Sequence, residues 1–382
     1  MTRFQTRLRD ERGMTLVMVA TGMVAFLSAT MLAVDVGMMM VARTEAQSSA
    51  DAGALAGAVA MGYNDWDDRT PTGPAVTNAI AAATTADNGV INAQVSVIPE
   101  DVTFPTINQI RVRVLRSSER NNPLSTFIAP MFGIDTVNIG AEATAEVAPA
   151  NAMTCVKPFT IPDKWIEKQT PPWDPTDTYD AFDNKGKPLP NPDVYIPLGE
   201  GYTGYSAAEP PTGDRGTLVT LKAGTGNNIT PSFYFPYSIG GVTGADEYRE
   251  NITGCNTTMM GFDDLLLAEP GNMSGPTKAG IEELIAKDPN AYWDTIKNQP
   301  VSTMAPSPRV IAIPLFDPVY YDEGKRNGRN ADLKVVNYMG FFLEEMRGND
   351  VVGRVTPIGG IYSGSGGPAP TGTFPIAILL VK

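Results

Sequence analysis

The side chains that could do chemistry in this chain are mostly carboxylates. The sequence contains no histidine. Ser-His-Asp triads, Cys-His dyads and His-based zinc sites are therefore excluded. Two carboxylate groupings remain, Asp263-Asp264 with Glu269 and Asp317 with Asp322-Glu323. Glycoside hydrolysis needs two carboxylates at a set separation, and these qualify by residue type only. On a chain of net charge −13, acidic clusters read first as solvated surface. The Asp317–Asn330 stretch is rich in oxygen ligands and holds Gly324 and Gly328, but it lacks calcium-loop spacing. Lys325, Arg326 and Arg329 also oppose a cation there. The Ser363-Gly364-Ser365-Gly366-Gly367 run lacks the lysine of a phosphate-binding loop and reads as a turn. The expectation is a chain that is not an enzyme and needs neither cofactor nor metal. Its negative charge also argues against nucleic acid as a partner.

What must be positioned instead is a helix. Thr15 to Val34 carries no charge and consists mostly of Val, Met, Ala, Leu and Phe. About 20 such residues at 1.5 Å rise span about 30 Å, the thickness of a bilayer's hydrocarbon core. No proline interrupts the run or the thirty residues after it. Arg3, Arg7, Arg9 and Arg12 precede it, against Asp10 and Glu11. Short basic flanks stay in the cytoplasm, so the rest of the chain is expected outside. A cleaved signal peptide is the competing reading. Against it stand the length of the run and the lack of a turn signal after it.

One side of this helix is small. Ala25, Ala29, Ala33 and Gly37 recur at i+4 within the span, and Ala46, Ala50, Ala54 and Ala58 repeat the pattern beyond it. Such a ridge lets helix backbones approach closely, a main source of association in lipid. The plain alternative is that alanine is a good helix former.

Arg12-Gly13, Ala33-Val34-Asp35-Val36-Gly37 and Ala50-Asp51-Ala52-Gly53-Ala54-Leu55-Ala56-Gly57-Ala58 stand in an order that resembles the TadE/TadG-like proteins of the Flp (tight adherence, Tad) pilus system. The likeness is strongest over about the first sixty residues. It extends more loosely to Cys155-Val156-Lys157-Pro158, Ile161-Pro162-Asp163-Lys164-Trp165 and Glu269-Pro270-Gly271-Asn272, which look like TadG-related stretches. The resemblance implies a membrane anchor and a body serving pilus assembly or attachment. Its implied partners are inner-membrane assembly proteins, pilins or pseudopilins through the helix, and membrane lipid. Arg12, Gly13, Asp35, Gly37 and Asp51 carry the motif. Processed pilins have Glu five residues after the cleavage Gly; here that position is Met18, which favours a retained anchor. The D-x-S-x-S metal motif of longer TadG proteins is missing.

The two cysteines, Cys155 and Cys255, fall in the expected exported part. There an even pair reads as one disulfide, the alternative being two buried thiols.

Along the chain, residues 1–13 read as cytoplasmic and 14–40 as the span. Residues 41–150 read as a helix extension with a small α+β module. A second helix is expected from Ala75 to about Asp87, stopped by Asn88-Gly89. Strand alternation follows at Gln94–Val97, at Ile110, Val112 and Val114, and from Val137 to Val147, with a short helix over Leu124–Phe132. Residues 151–382 read as a β-rich domain, with β-type runs at Thr217–Lys222, Ser232–Tyr237, Arg309–Leu315, Lys334–Leu343 and Phe374–Val381. One helix, from Pro276 to Lys287, interrupts them. The fold class is α+β. The resemblance and the helix together imply a single-pass bacterial inner-membrane protein of Flp pilus assembly or anchoring, with its body periplasmic or extracellular. The alternative is a tethered adhesin or glycan-binding module using the aromatic loop around Trp165, Trp173 and Tyr179.

Overall fold

The computed structural model describes residues 11–64, 68–85, 91, 95–183, 185–224, 228–304, 306–326, 333–362 and 372–381. Arg3, Arg7, Arg9, the Arg12 side chain, Asp87, the Asn88-Gly89 stop, Gln94, Gly328 to Asn330 and the Ser363–Gly367 run lie outside the described residues. The chain forms two compact units, Met1–Val147 with Ile378–Lys382, and Ala148–Ala377. The last residues, expected in the β-rich domain, thus belong to the first unit.

In the first unit, α1 (Glu11–Tyr63) runs 53 residues without a break, about 80 Å at 1.5 Å per residue. Over the charge-free run its apolar side chains stand clear of the protein: Leu16 and Met18 are each 73% exposed. Within this stretch, Thr21 and Thr30 donate their hydroxyls to the carbonyls of Val17 and Phe26 one turn back. A hydroxyl bonded within its own helix needs no water, which suits an apolar surrounding.

The helix α2 (Pro74–Ala83) starts with Pro in its first turn and buries Ala75, Val76, Ala79 and Ala83. It is shorter than expected. The hydroxyls of Thr84 and Thr85 turn back onto the Ile80 and Ala82 carbonyls, the local competition that ends helices. The strands β1 (Val102–Thr103), β2 (Gln109–Arg116), β3 (Leu124–Ser125), β4 (Thr136–Val137) and β5 (Ile139–Pro149) follow. β2 pairs antiparallel with β1 and β5, setting Val112 opposite Ala143. Ile110, Val112 and Val114 are fully buried, as their alternation requires. At Val95–Val97 there is only one bridge, Ser96 to Leu115, rather than a strand. Leu124–Phe132 is not a helix either: Leu124 pairs with Val137, and the tip between them holds a 3₁₀ turn, Ala129–Phe132. Pro130 leaves that turn one donor short.

The second unit contains β6 (Ala152–Met153), β7 (Phe159–Pro162), β8 (Leu218–Ala223), β9 (Phe233–Ser238), α3 (Ala245–Thr253), β10 (Met260–Gly261), β11 (Leu265–Ala268), α4 (Ser274–Lys287), β12 (Tyr292–Asp294), β13 (Gln299–Val301), β14 (Val310–Phe316), α5 (Pro318–Arg326), β15 (Leu333–Arg347) and β16 (Asp350–Thr356). The last strand, β17 (Ile376–Leu380), extends the first unit's sheet to the order β1-β2-β5-β17. Among the described residues, β15-β14-β7-β9-β8-β16 close into a barrel because β16 also pairs with β15. Side chains of one parity meet in a single cluster: Phe159, Ile161, Val219, Leu221, Ile311, Ile313, Leu315, Met339, Phe341, Leu343, Val351 and Val355. That is the packing of a barrel too narrow for a lumen. Gly353 lies on the same parity, where an added Cβ would meet the Phe341 ring at 2.5 Å.

Candidate functional site

The small-residue ridge of α1 divides in two. Ala25, Ala29, Ala33 and Gly37 are exposed. Ala46, Ala50, Ala54 and Ala58 are buried, none more than 1% exposed. The second group was expected to offer a face to another helix; that face is already covered by the unit's own α2 and β2. Beside it, a Cβ added at Gly57 would lie 2.5 Å from Ile110 Cδ1, 3.0 Å from Ala79 Cβ and 3.1 Å from the Ala75 carbonyl oxygen. One at Gly53 would lie 3.0 Å from the Ala79 carbonyl oxygen and from Ala83 Cβ. Two small-residue helix faces thus meet backbone to backbone. Asp51 takes part from the side: Gln47 Nε2 donates to it at 2.8 Å and to the Glu142 carbonyl on β5 at 3.2 Å.

Asp35 follows directly on the charge-free run, yet it is only 3% exposed. Its carboxylate accepts the backbone N–H groups of Phe127 (2.7 Å), Ile128 (3.0 Å) and Ala129 (2.7 Å). These are the free donors at the start of the 3₁₀ turn. A side chain from a helix some ninety residues away thereby caps the hairpin tip. A carboxylate in an apolar surrounding is costly unless hydrogen-bonded, and here the donors come ready-aligned. The sequence marked Asp35 as a motif member but gave no sign of its partners. The one usable signal was that Thr126 to Ile134 contains no charged residue.

In the second unit the carboxylates do structural work. Asp317 Oδ1 accepts the Val319 and Tyr320 N–H groups and caps α5, so the expected oxygen-rich loop is a helix from Pro318 to Arg326. Asp322 pairs with Arg326 within that helix, and Asp263 pairs with Lys334. Glu269 accepts the Gly244 N–H. Among the described residues, no group of three or more potential ligands is placed to hold a metal.

The notable buried carboxylate is Asp163, which the sequence reading did not single out. It is fully buried and accepts the N–H groups of Lys164 and Tyr205 and the hydroxyls of Tyr195 and Tyr202. Burial pushes its carboxyl up to about 6, against the pull of those donors. Asn337 extends the network, donating to the Tyr202 hydroxyl and accepting the Phe374 N–H. Trp165 and Tyr179 are also interior, 1% and 8% exposed, and Trp173 packs edge-on to Trp165 at 6.4 Å. The aromatic loop proposed as a glycan platform is therefore mostly core, with its stacking faces taken.

Cys155 and Cys255 form a disulfide across 100 residues. Non-covalent links surround it: Cys155 N–H donates to the Asn256 carbonyl, and Lys157 Nζ to the Gly254 carbonyl at 2.8 Å. Burial, and after it the charge of Lys287, lowers the Lys157 ammonium to about 8.

No curated protein and no solved structure matches the chain. The segment that carries Asp35, Asp51 and the divided ridge does match: residues 13–60 fit the Tad family model, described as Flp pilus-assembly TadE/G-like.

Proposed function

We propose that this chain is a non-enzymatic component of Flp-type pilus assembly, held in the bacterial inner membrane by the first half of α1. In this reading its N-terminus is cytoplasmic and its two units face the periplasm or the exterior. The observation that carries the reading is the coincidence of three features on one helix. It matches the Tad family model over residues 13–60. It is the one helix among the described residues long and apolar enough to cross a membrane. Its apolar side chains have no protein cover, whereas the same helix beyond Ala42 is packed into a folded unit.

The open face of Ala25, Ala29, Ala33 and Gly37 is then the surface for inner-membrane pilus proteins, pilins or pseudopilins. The disulfide fits an exported body. The test is a chromosomal deletion complemented with the full chain carrying a C-terminal alkaline phosphatase. The expected result is loss of surface pili on deletion, restored pili on complementation, phosphatase activity in intact cells, and retention in carbonate-washed membranes. A soluble, inactive fusion would refute the anchor. Normal pili in the deletion strain would refute the assembly role.

A further inference from the structure

The hairpin tip capped by Asp35 is apolar where it faces outward. Phe127 and Met131 are each 76% exposed and Ile134 is 50% exposed. From Thr126 to Ile134 the tip has no charged side chain, and its one hydroxyl, Thr126 Oγ1, is bonded internally to the Ile134 carbonyl at 2.6 Å. Most of its backbone donors are bonded as well. Thr126 N–H donates to the Asp135 carbonyl, Met131 N–H to Ile128, Gly133 N–H to Pro130 and Ile134 N–H to Ala129. The Phe127, Ile128 and Ala129 N–H groups go to Asp35. Such bonds are ordinary in tight turns, and they also ready a loop for an apolar surrounding. A loop entering hydrocarbon needs them, because nothing there can satisfy a free N–H.

Position supplies the second half of the argument. The carboxylate that grips the tip is the first residue after the charge-free run, so the tip sits level with the end of the apolar helix. The exposed helix side chains around that level are apolar too: Leu32 at 66%, Val36 at 39% and Met40 at 66%. Tip and helix thus both present apolar side chains at this level, with Asp135 and Arg43 the exposed charges that flank them.

We propose that the tip from Thr126 to Ile134 is a second membrane contact, an apolar hook that Asp35 holds against the bilayer surface beside the spanning helix. Phe127, Met131 and Ile134 enter the boundary between headgroups and acyl chains, and Asp35 is the positioning residue. A second contact beside the span acts as an interfacial anchor that limits the tilt and rotation of α1. The exposed ridge is thereby turned in a set direction.

This inference rests on the membrane reading above, and the experiment separates the two. The full chain, with Cys155 and Cys255 bonded, is given one nitroxide-labelled cysteine at Met131, Met23 or Glu119 and reconstituted into phosphatidylethanolamine–phosphatidylglycerol vesicles. Power saturation compares collision with oxygen, enriched in lipid, and with a nickel chelate, enriched in water. The expected result is a lipid-like ratio at Met23 and Met131 and an aqueous one at Glu119. In the Asp35→Ala background, the Met131 ratio should fall several-fold toward the Glu119 value while Met23 stays unchanged. An aqueous Met131 beside a lipid-like Met23 overturns the hook, leaves the anchor standing, and points to a protein on this tip. An aqueous Met23 overturns the anchor and the hook together. A lipid-like Met131 that ignores Asp35→Ala overturns the role of Asp35.

Discussion

Gly57 offers a sharp test of how the packed half of α1 is held. An added Cβ would sit 2.5 Å from Ile110 Cδ1 and 3.0 Å from Ala79 Cβ, where ordinary contact is 3.4–4 Å. Two effects oppose each other in Gly57→Ala. The helix gains about 1 kcal/mol from losing a flexible glycine. The core loses about 1–3 kcal/mol to overpacking, because Ile110 is fully buried and Ala79 belongs to the opposing helix. The net is about 0–2 kcal/mol of destabilisation. Gly57→Leu must place three further carbons, so overpacking dominates at about 3 kcal/mol or more. Hydrogen exchange of the full chain in detergent reads this directly. Opening of α2 should accelerate up to about 30-fold for Gly57→Ala and by at least about 30-fold for Gly57→Leu after the same helix gain, at 1.4 kcal/mol per tenfold. Peptides from β14 and β15 should not change. Gly37→Ala is the control, since nothing lies within 4 Å of a Cβ there. Unchanged α2 protection in Gly57→Leu would refute close packing as the reason for a small residue at this position.

Other expectations follow from buried groups in the second unit. Asp163 has its carboxyl raised from 3.8 to about 6. Its protonated form therefore favours the folded state, a contribution fully present below about pH 4 and lost as pH rises through 6. At about 1.4 kcal/mol per unit this amounts to about 3 kcal/mol, so urea midpoints of wild type relative to Asp163→Asn should rise between pH 7 and pH 4. A flat difference would show that the carboxylate is not strained by burial. Lys157, lowered to about 8, behaves in the opposite direction: relative to Lys157→Met, wild type should gain stability between about pH 8 and 10.5 as the buried ammonium loses its proton. Cys155→Ser should cost up to about 4–5 kcal/mol on the chain-entropy model for so long a loop, with proteolysis rising in the 170–215 segment and Cys155→Ser/Cys255→Ser no worse than the single change. Arg309 donates to the carbonyls of Asp288, Ala291, Leu343 and Glu344. Arg309→Met should strand those acceptors and lower the unfolding midpoint by about 2–4 kcal/mol equivalent.

The sequence showed what period and punctuation can show. The alternation at Ile110, Val112 and Val114 became β2, and the long run to Val147 became most of β5. The five β-type runs of the body all became strands, four of them in the barrel and the last, β17, in the first unit's sheet, because buried strands are dense in β-branched and aromatic residues. Closure of the barrel was not legible: it depends on β16 pairing with both β8 and β15, a matter of register between distant segments. α3 was missed because its only buried apolar side chains are Tyr248 and Ile252, too few to set a period. α5 was missed for a different reason. Its acidic residues drew attention as ligands, although Asp317-Pro318 is a helix-start signature and Asp322 pairs with Arg326 one turn on. The aromatic loop misled because Trp and Tyr in a Pro-rich stretch look exposed, and burial depends on what folds over them. Asp35 was legible as an oddity, a charge closing an apolar run, while its partners lay beyond the reach of any local pattern.

The divided ridge shows why one spacing can serve two purposes. Alanine every fourth residue permits close approach in any solvent, but the force that uses it differs. In water, burying apolar surface drives folding, so a smooth helix face is covered by whatever the same chain can fold onto it. That is the fate of Ala46, Ala50, Ala54 and Ala58 under α2 and β2. In lipid that drive is absent, and a small-residue face stays open until a helix of matching shape arrives. Ala25, Ala29, Ala33 and Gly37 are exposed, as such a face would be. The pattern beyond residue 42 is therefore a folding constraint and says little about partners. On the proposed function, selectivity for an inner-membrane partner would reside in the span and in how it is turned. On the proposed hook, Asp35 would set that turn, through its hydrogen bonds from the Phe127, Ile128 and Ala129 N–H groups of the hairpin tip.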